Sequence, residues 1–294
     1  MKKVVGLGAC VLDTLIACKT YPTEDKKQKA ESIFLSGGGP VGNALVVISK
    51  LGLQTEIIGG FGNDTAGQYL LSDFEKYGVG IKNATVFNDA NSFTSYIVLA
   101  KDKASRTCVF DRGSVPDEPK YLHLSAIDGA TVLHLDGNYL ECAIAAAKYA
   151  KENGVKVSLD AGGLYQGIER LLPLVDILIP SAEFALGLTG ESTIEAAMYA
   201  LNEKYSPEIL VVTDGSNGGY YYENGQAMHY DSIKVKAVDT NGAGDTFHGA
   251  FVTAYCEGKT VKACCEFASK VAAYKCTQIG ARAYPLTRER IDNL

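Results

Sequence analysis

Asp239-Thr240-Asn241-Gly242-Ala243-Gly244-Asp245 runs directly into Thr246-Phe247-His248-Gly249-Ala250-Phe251. Small residues with two glycines give way to helix-compatible apolar ones, so a loop is expected to become a helix near Gly244. Glycines let backbone N–H groups turn outward, and a helix N-terminus adds partial positive charge. Together they form an anion site. The carboxylate of Asp245 is out of place in a site that only holds an anion. It fits a base that takes a proton from a hydroxyl attacking a bound phosphate. A plain Gly-Ala turn closed by an aspartate is the competing reading, and the rest of the chain has to decide.

At 294 residues the chain exceeds an average domain, but α/β folds of this length form single cores, and one domain over residues 1–294 is expected. The composition, 47% hydrophobic and 21% charged, is that of a soluble globular protein. A formal net charge of −6 without a Lys/Arg cluster argues against a nucleic-acid surface. An anionic ligand must then be held locally, by amides or a few cations. The 8 cysteines (10, 18, 108, 142, 256, 264, 265, 276) form no Cys-x-x-Cys pair and have no histidine at ligand spacing, which suits reduced thiols rather than zinc. Gly6 and Asp13 arrive too soon for a signal segment, and no apolar run reaches membrane-span length. A cytoplasmic protein is expected.

Lys3 to Gly8 reads as a buried first strand ending in a glycine turn. The third glycine of a dinucleotide fingerprint is missing, and Val11 to Ile16 continues as strand rather than helix. Asp13 sits just past the strand end, where α/β proteins bind ligands. Residues 17–36 form a polar, hairpin-like excursion. Gly37-Gly38-Gly39-Pro40-Val41-Gly42-Asn43-Ala44 then permits close approach to something small, starts a helix at Pro40 and places the Asn43 amide over the glycines. A strand over 55–60 and a helix from Thr65 to Tyr77 follow. Ser92 to Ala100 and Arg106 to Phe110 alternate polar and apolar residues, and with 14–36 they predict a small accessory sheet that needs cover. From Thr131 onward strands and helices alternate, indicating a mainly parallel sheet. Asp13, Asp136, Asp160, Glu183 and Asp214 all fall at strand C-terminal ends, where such a sheet assembles its site. Strand capping explains any one of them alone. Strand 209–213 runs into Asp214-Gly215-Ser216-Asn217-Gly218-Gly219, and a hairpin is expected around Asn224-Gly225. His248, three residues after Asp245, is read as supporting rather than catalytic.

These stretches together resemble the ribokinase-like (PfkB) family of carbohydrate and nucleoside kinases, over nearly the whole chain. Asp239 to Asp245 is similar to that family's C-terminal signature, Asp-Thr-x-Gly-Ala-Gly-Asp, without a mismatch. Gly37 through Gly59, Gly62, Asp64 and Gly67 resembles its N-terminal signature. The resemblance implies a three-layer α/β/α fold with a central, mainly parallel sheet and a small β-sheet lid formed by about 14–36 and 92–112. It implies that Asp245 is the base and that Gly242, Ala243 and Gly244 form the anion hole for the phosphoryl group in transit. It assigns Asp13, Gly39, Asn43 and Asp136 to the sugar, and Thr213, Gly215, Gly218 and Gly280 to ATP. Arg112 resembles a lid arginine that some relatives use on acidic or ketose sugars, and Lys27 is the other lid cation in view. Magnesium is implied, and a monovalent-cation site for K⁺ between the loops at Asp239 and Gly280 is a further expectation. One departure stands out. The family's Asn-x-x-Glu at the Mg²⁺–phosphate site is replaced by Pro180-Ser181-Ala182-Glu183-Phe184, leaving Glu183 one place off as a metal ligand. Phe247-His248-Gly249 and Lys275-Cys276-Thr277 look closer to the ketohexokinase-like and sulfofructose-kinase-like branch.

The expectation is therefore an ATP-dependent kinase acting on a primary hydroxyl of a ketohexose or pentose by direct in-line transfer. A homodimer through the lid sheet is expected, with no nucleic acid and no membrane as partner. The alternatives are a nucleoside kinase of the same fold and a catalytically weak ligand-binding relative.

Overall fold

A computed structural model describes residues 2–102 and 105–292 of the chain. Residues 103 and 104, inside the expected lid segment, lie outside the described residues, as do Met1, Asn293 and Leu294. β1 (Lys3–Leu7) is buried over most of its length, turns at Gly8–Cys10 and continues as β2 (Val11–Cys18). After β3 (Ser32–Gly38), α1 (Pro40–Lys50) starts with Pro40 in its first turn and Gly39 at φ 88°. A side chain at Gly39 would stand 2.2 Å from the carbonyl oxygen of Ala9, so only glycine fits. β4 (Gln54–Ile57) and β5 (Gly60–Gly62) precede α2 (Thr65–Lys76), whose Asp64 cap accepts from the Gly67 amide at 2.7 Å. Then come β6 (Val79–Gly80), β7 (Thr85–Phe87), β8 (Thr94–Ala100) and β9 (Ser105–Asp111).

The second half runs β10 (Val132–Leu135), α3 (Leu140–Glu152), β11 (Lys156–Ala161), β12 (Ile177–Pro180), α4 (Ala182–Thr189), α5 (Ile194–Tyr205), β13 (Ile209–Thr213), β14 (Gly219–Glu223) and β15 (Gln226–Tyr230). It closes with α6 (Ala243–Cys256), α7 (Val261–Cys276) and α8 (Arg288–Asp292). Nine strands form one sheet in the order β15-β14-β13-β12-β11-β10-β1-β4-β6, parallel from β13 to β6 and antiparallel at the β13-β14-β15 edge. Alternation along β1 shows the layering. Val5 and Leu7 pack with α3, α4 and α5, whereas Val4 packs with α1 and α2. α6 lies between α1 and α7 on that second face, and its Ala250, Phe251 and Ala254 are fully buried. Phe251→Ala would cost about 3–5 kcal/mol in lost burial and cavity.

Two elements differ from the sequence expectation. The strand expected over 55–60 ends at Ile57, and Gly60–Gly62 pairs instead with β7 in a separate two-stranded sheet. The helix α4 occupies a stretch read only as a strand end with an acid. Ser181 caps it by accepting from the Phe184 amide at 3.1 Å, and Gly190 ends it in the left-handed region.

The remaining four strands form a sheet in the order β3-β2-β8-β9. Its register separates two faces. Leu35, Thr14, Tyr96 and Val109 stand in one cross-strand row and Ile33, Ile16, Val98 and Thr107 in the next row on that face. Asp13, Ser95 and Phe110 share the opposite face. The accessory sheet is thus apolar on one side and carries the acid on the other.

Candidate active site

The heptapeptide forms a loop that becomes α6, as its composition requires. Gly242 caps the helix at φ 77°, and a Cβ there would lie 2.9 Å from the Ala281 Cβ. Asp239 fixes the loop by accepting from the Asn241 amide at 2.8 Å. The Ala243 amide donates to the Thr240 carbonyl at 3.2 Å and the Thr246 amide to the Gly242 carbonyl at 3.0 Å. The Gly244 and Asp245 amides between them have no intrahelical carbonyl partner and can meet an anion. Asp245 stands in that first turn and accepts from Asn43 Nδ2 at 2.6 Å. Burial raises its carboxyl pKa above the ordinary 3.8, and the charge of Asp160 adds to the rise. The Asn43 hydrogen bond, His248 and Arg282 pull the other way. The outcome is a carboxylate more basic than a surface aspartate, which suits proton abstraction.

Asn43 is itself held. Arg282 Nε donates to its Oδ1 at 2.8 Å, and a guanidinium can only donate, so the amide oxygen must face it and the NH₂ must face Asp245. Arg282 also donates to Asp73 Oδ2 at 2.8 Å and to the Gly38 carbonyl at 2.7 Å, and lies over the Phe74 ring. The glycine tract makes this approach feasible: a Cβ at Gly42 would stand 2.3 Å from Arg282 Nη2, and one at Gly38 would stand 2.1 Å from Asp13 Oδ2. Part of what the tract admits is therefore the protein's own arginine and acid. Asp13 is buried and accepts from Ser95 Oγ of the accessory sheet at 2.6 Å. Burial raises its pKa against that bond and Arg282. Asp136 behaves differently. Its Oδ2 accepts from the Ala9 and Val41 amides at 2.8 and 3.2 Å, and its Oδ1 from the Asn138 amide and side chain at 3.0 and 3.2 Å. It ties the end of β1 to the start of α1, and burial pushes its pKa up to about 6.

On the other side of the loop lies a cavity of about 300 Å³. Thr213, Gly215 and Gly218 line one part of it, Ala243 and Gly244 another, and Val235, Ala237, Phe247, Ala272 and Cys276 give it apolar walls. Asp245 thus sits where this cavity's loop meets the glycine tract. Glu183 is exposed in the first turn of α4 and is not among the lining residues, and Phe184 beside it is buried in the core. Gly280 does not line the cavity either; its amide donates to Asp239 Oδ2 at 2.9 Å. Lys27 is exposed between β2 and β3. Arg112 bridges the accessory sheet to the body by bonding Asn138 Oδ1 and lying against the Phe93 and Tyr165 rings. Among the described residues no three His, Cys, Asp or Glu side chains gather to hold a metal ion.

Arg282, Lys275, Ser95 and Asn138 have roles that the sequence reading does not anticipate. Lys275 alone leaves a usable trace. It falls on the spacing Cys264, Ala268, Val271, Lys275, a charge on the buried stripe of α7. Asp160, read only as a strand-end acid, pairs with His248 Nε2 at 3.2 Å, and that partner holds its pKa low against burial. Next to this pair, burial lowers the His134 pKa to about 3, aided by His248.

The family model described as pfkB family carbohydrate kinase matches residues 1–288. The chain is 27% identical to the ribokinase of Bacillus subtilis (strain 168), over 100% of this chain and 99% of that protein. It is 30% identical to the probable fructokinase-5 of Arabidopsis thaliana, over 95% of this chain and 92% of that protein. The solved structure of Arabidopsis thaliana ribokinase complexed with ribose and ATP superposes with a TM-score of 0.88 at 26% identity, covering 100% of this chain and 98% of that one.

Proposed function

The chain belongs to the pfkB family of carbohydrate kinases and is a phosphotransferase with an alcohol acceptor, and from that premise we propose that it transfers the γ-phosphoryl group of ATP to a primary hydroxyl of a ketohexose or pentose. The observation that carries this reading is Asp245. A carboxylate with a raised pKa stands in the first turn of α6, between the cavity's loop and the glycine tract, and is oriented by Asn43. As the sugar oxygen attacks phosphorus, Asp245 takes its proton, and ADP leaves in line with no phosphoenzyme. The amides of Gly242 and Gly244 are the proposed donors to the charge on the transferring group, where each such donor contributes about 3 kcal/mol to the rate; the Ala243 amide beside them already donates to the Thr240 carbonyl at 3.2 Å.

The cavity beside Thr213, Gly215 and Gly218 is the proposed nucleotide site, its apolar walls suiting a purine ring. Asp13, Gly39, Asn43 and Arg112 are the proposed sugar contacts, with Asp136 acting through the backbone it holds. Mg²⁺ dehydrates reluctantly and is commonly bound through phosphates with one or two carboxylates. The absence of an acidic cluster among the described residues fits an ion that arrives on the nucleotide and neutralises phosphate charge. Among the described residues no helix is long and apolar enough to cross a membrane, and the proposed location is the cytoplasm.

A nucleoside kinase is the second reading, favoured by the Phe93–Phe110 ring pair on the acid-bearing side of the accessory sheet. Thermal-shift screening of sugars against nucleosides separates the two. An ADP-release assay over ketohexoses and pentoses with Mg²⁺ tests the main reading; release with nucleosides alone would replace it.

A further inference from the structure

No part of the Lys275 side chain is exposed, and a buried ammonium needs partners to offset its lost hydration. Its Nζ donates to the main-chain oxygen of Asp239 at 2.7 Å and lies 3.7 Å from Asp239 Oδ2. Burial lowers its pKa, while Asp239 is the strongest group opposing that fall and Asp245 is also among them. The ammonium sits in the last turn of α7, where the helix dipole favours a cation. The loop it grips is stapled there a second time, because the Val238 and Asp239 amides both donate to the Cys276 carbonyl, at 2.8 and 3.1 Å. From the far side the Gly280 amide donates to the Asp239 carboxylate.

This is the place between the Asp239 and Gly280 loops where the family resemblance implies K⁺. An alkali cation needs a shell of oxygens in place of its water. Here the Asp239 carbonyl is engaged by an ammonium, and Gly280 turns an N–H donor rather than an oxygen into the gap. These residues do not fit a bound alkali ion.

We propose that Lys275 is a positioning residue that supplies, covalently attached, the positive charge behind the anion loop, so that turnover needs no added monovalent cation. The proposal rests on the kinase reading for its catalytic arm only. The charge fixes Asp239, Asp239 fixes Asn241 and the turn at Gly242, and that turn aims the first-turn amides of α6.

The test compares K⁺, Na⁺ and choline chloride at equal ionic strength for the wild type, Lys275→Ala and Lys275→Met, reading kcat, KM for ATP and the ATP dissociation constant. The wild type should vary by less than about twofold across the three salts. Lys275→Ala in choline should lose about tenfold or more in kcat, as expected for loosened anion-hole donors, and methylammonium or K⁺ should restore part of the loss. Lys275→Met fills the space without charge, so it should lose activity and gain nothing from cations, which a packing role alone would not produce. Activation of the wild type by K⁺ over choline of more than about fivefold, or wild-type kcat in Lys275→Met, would overturn the proposal. The wild-type comparison decides even where a variant does not fold. Should no sugar support turnover, ATP dissociation constants decide: equal values in the three salts uphold Lys275 as the cation, and tighter binding in K⁺ removes it.

Discussion

As the proposed base, Asp245 has to be basic and to stay charged, and its neighbours pull in both directions. Burial and Asp160 raise its pKa, whereas Asn43 holds it down through a 2.6 Å bond. Asn43→Ala removes a bond that favours the carboxylate, so the acid limb of the kcat profile should move to higher pH, measured as kcat from pH 5 to 8. A limb that stays in place would mean Asn43 serves only the sugar. The same raised pKa has a consequence for stability. A folded-state carboxyl with a pKa above its unfolded value binds protons more readily when folded, so its charge destabilises the fold at neutral pH. Asp245→Asn should therefore raise the melting temperature at pH 7, and the gain should vanish as the pH falls towards the ordinary carboxyl value, read by calorimetry at both pH values.

At the level of elements, the site is held where the glycine tract, α1, α2 and the 280–284 loop meet. Arg282 joins them through Asn43, Asp73 and Gly38. Removing one partner of a buried ion pair leaves the other charge uncompensated, so Arg282→Met should destabilise the fold by about 3–5 kcal/mol in urea unfolding. It should also raise KM for the sugar, because Asn43 loses the donor that orients its amide. A loss under about 1 kcal/mol would place Arg282 outside the frame of the site. The elements themselves are legible in the sequence because each has a local cause: Pro40 and Gly39 at α1, Asp64 at α2, Asn224-Gly225 at the last hairpin, and the small residues before α6. Arg282 is not legible. Its partners are far away in the chain, and nothing in Gly280-Ala281-Arg282 reveals that a guanidinium will fill the space left at Gly42. α4 was hidden for a different reason: Ser181 and Glu183 both read as strand-end polar residues until the cap bond to Phe184 gives the turn its helix.

Across the whole molecule, the accessory sheet has an unequal pair of faces. The acid-bearing face turns Asp13 and Ser95 towards the glycine tract, while Ile33, Leu35, Tyr96 and Val109 on the other face are exposed. Such a patch is normally covered, and we propose a second copy of the chain as its cover. Light scattering at micromolar concentration should then give a dimer for the wild type and a monomer for Leu35→Glu; a monomeric wild type would remove the proposal. The mainly parallel sheet follows from the alternation visible in the sequence, and Asp136 and Asp214 do follow the ends of β10 and β13, but Asp13 lies within β2 of the accessory sheet and Glu183 within α4. Asp136 and Asp13 look alike in the chain, and only the amides of Ala9, Val41 and Asn138 distinguish a carboxylate that ties backbone from one that accepts from the Ser95 hydroxyl beside the glycine tract. Whether Asp245 deprotonates a sugar hydroxyl as ATP surrenders its γ-phosphoryl group is read from ADP release by the wild type and by Asp245→Asn, with Mg²⁺ and ketohexose or pentose acceptors. Sugar-dependent release should fall by about 10²–10⁴-fold in Asp245→Asn while ATP binding is retained. A variant that turns over at the wild-type rate would contradict that role for Asp245.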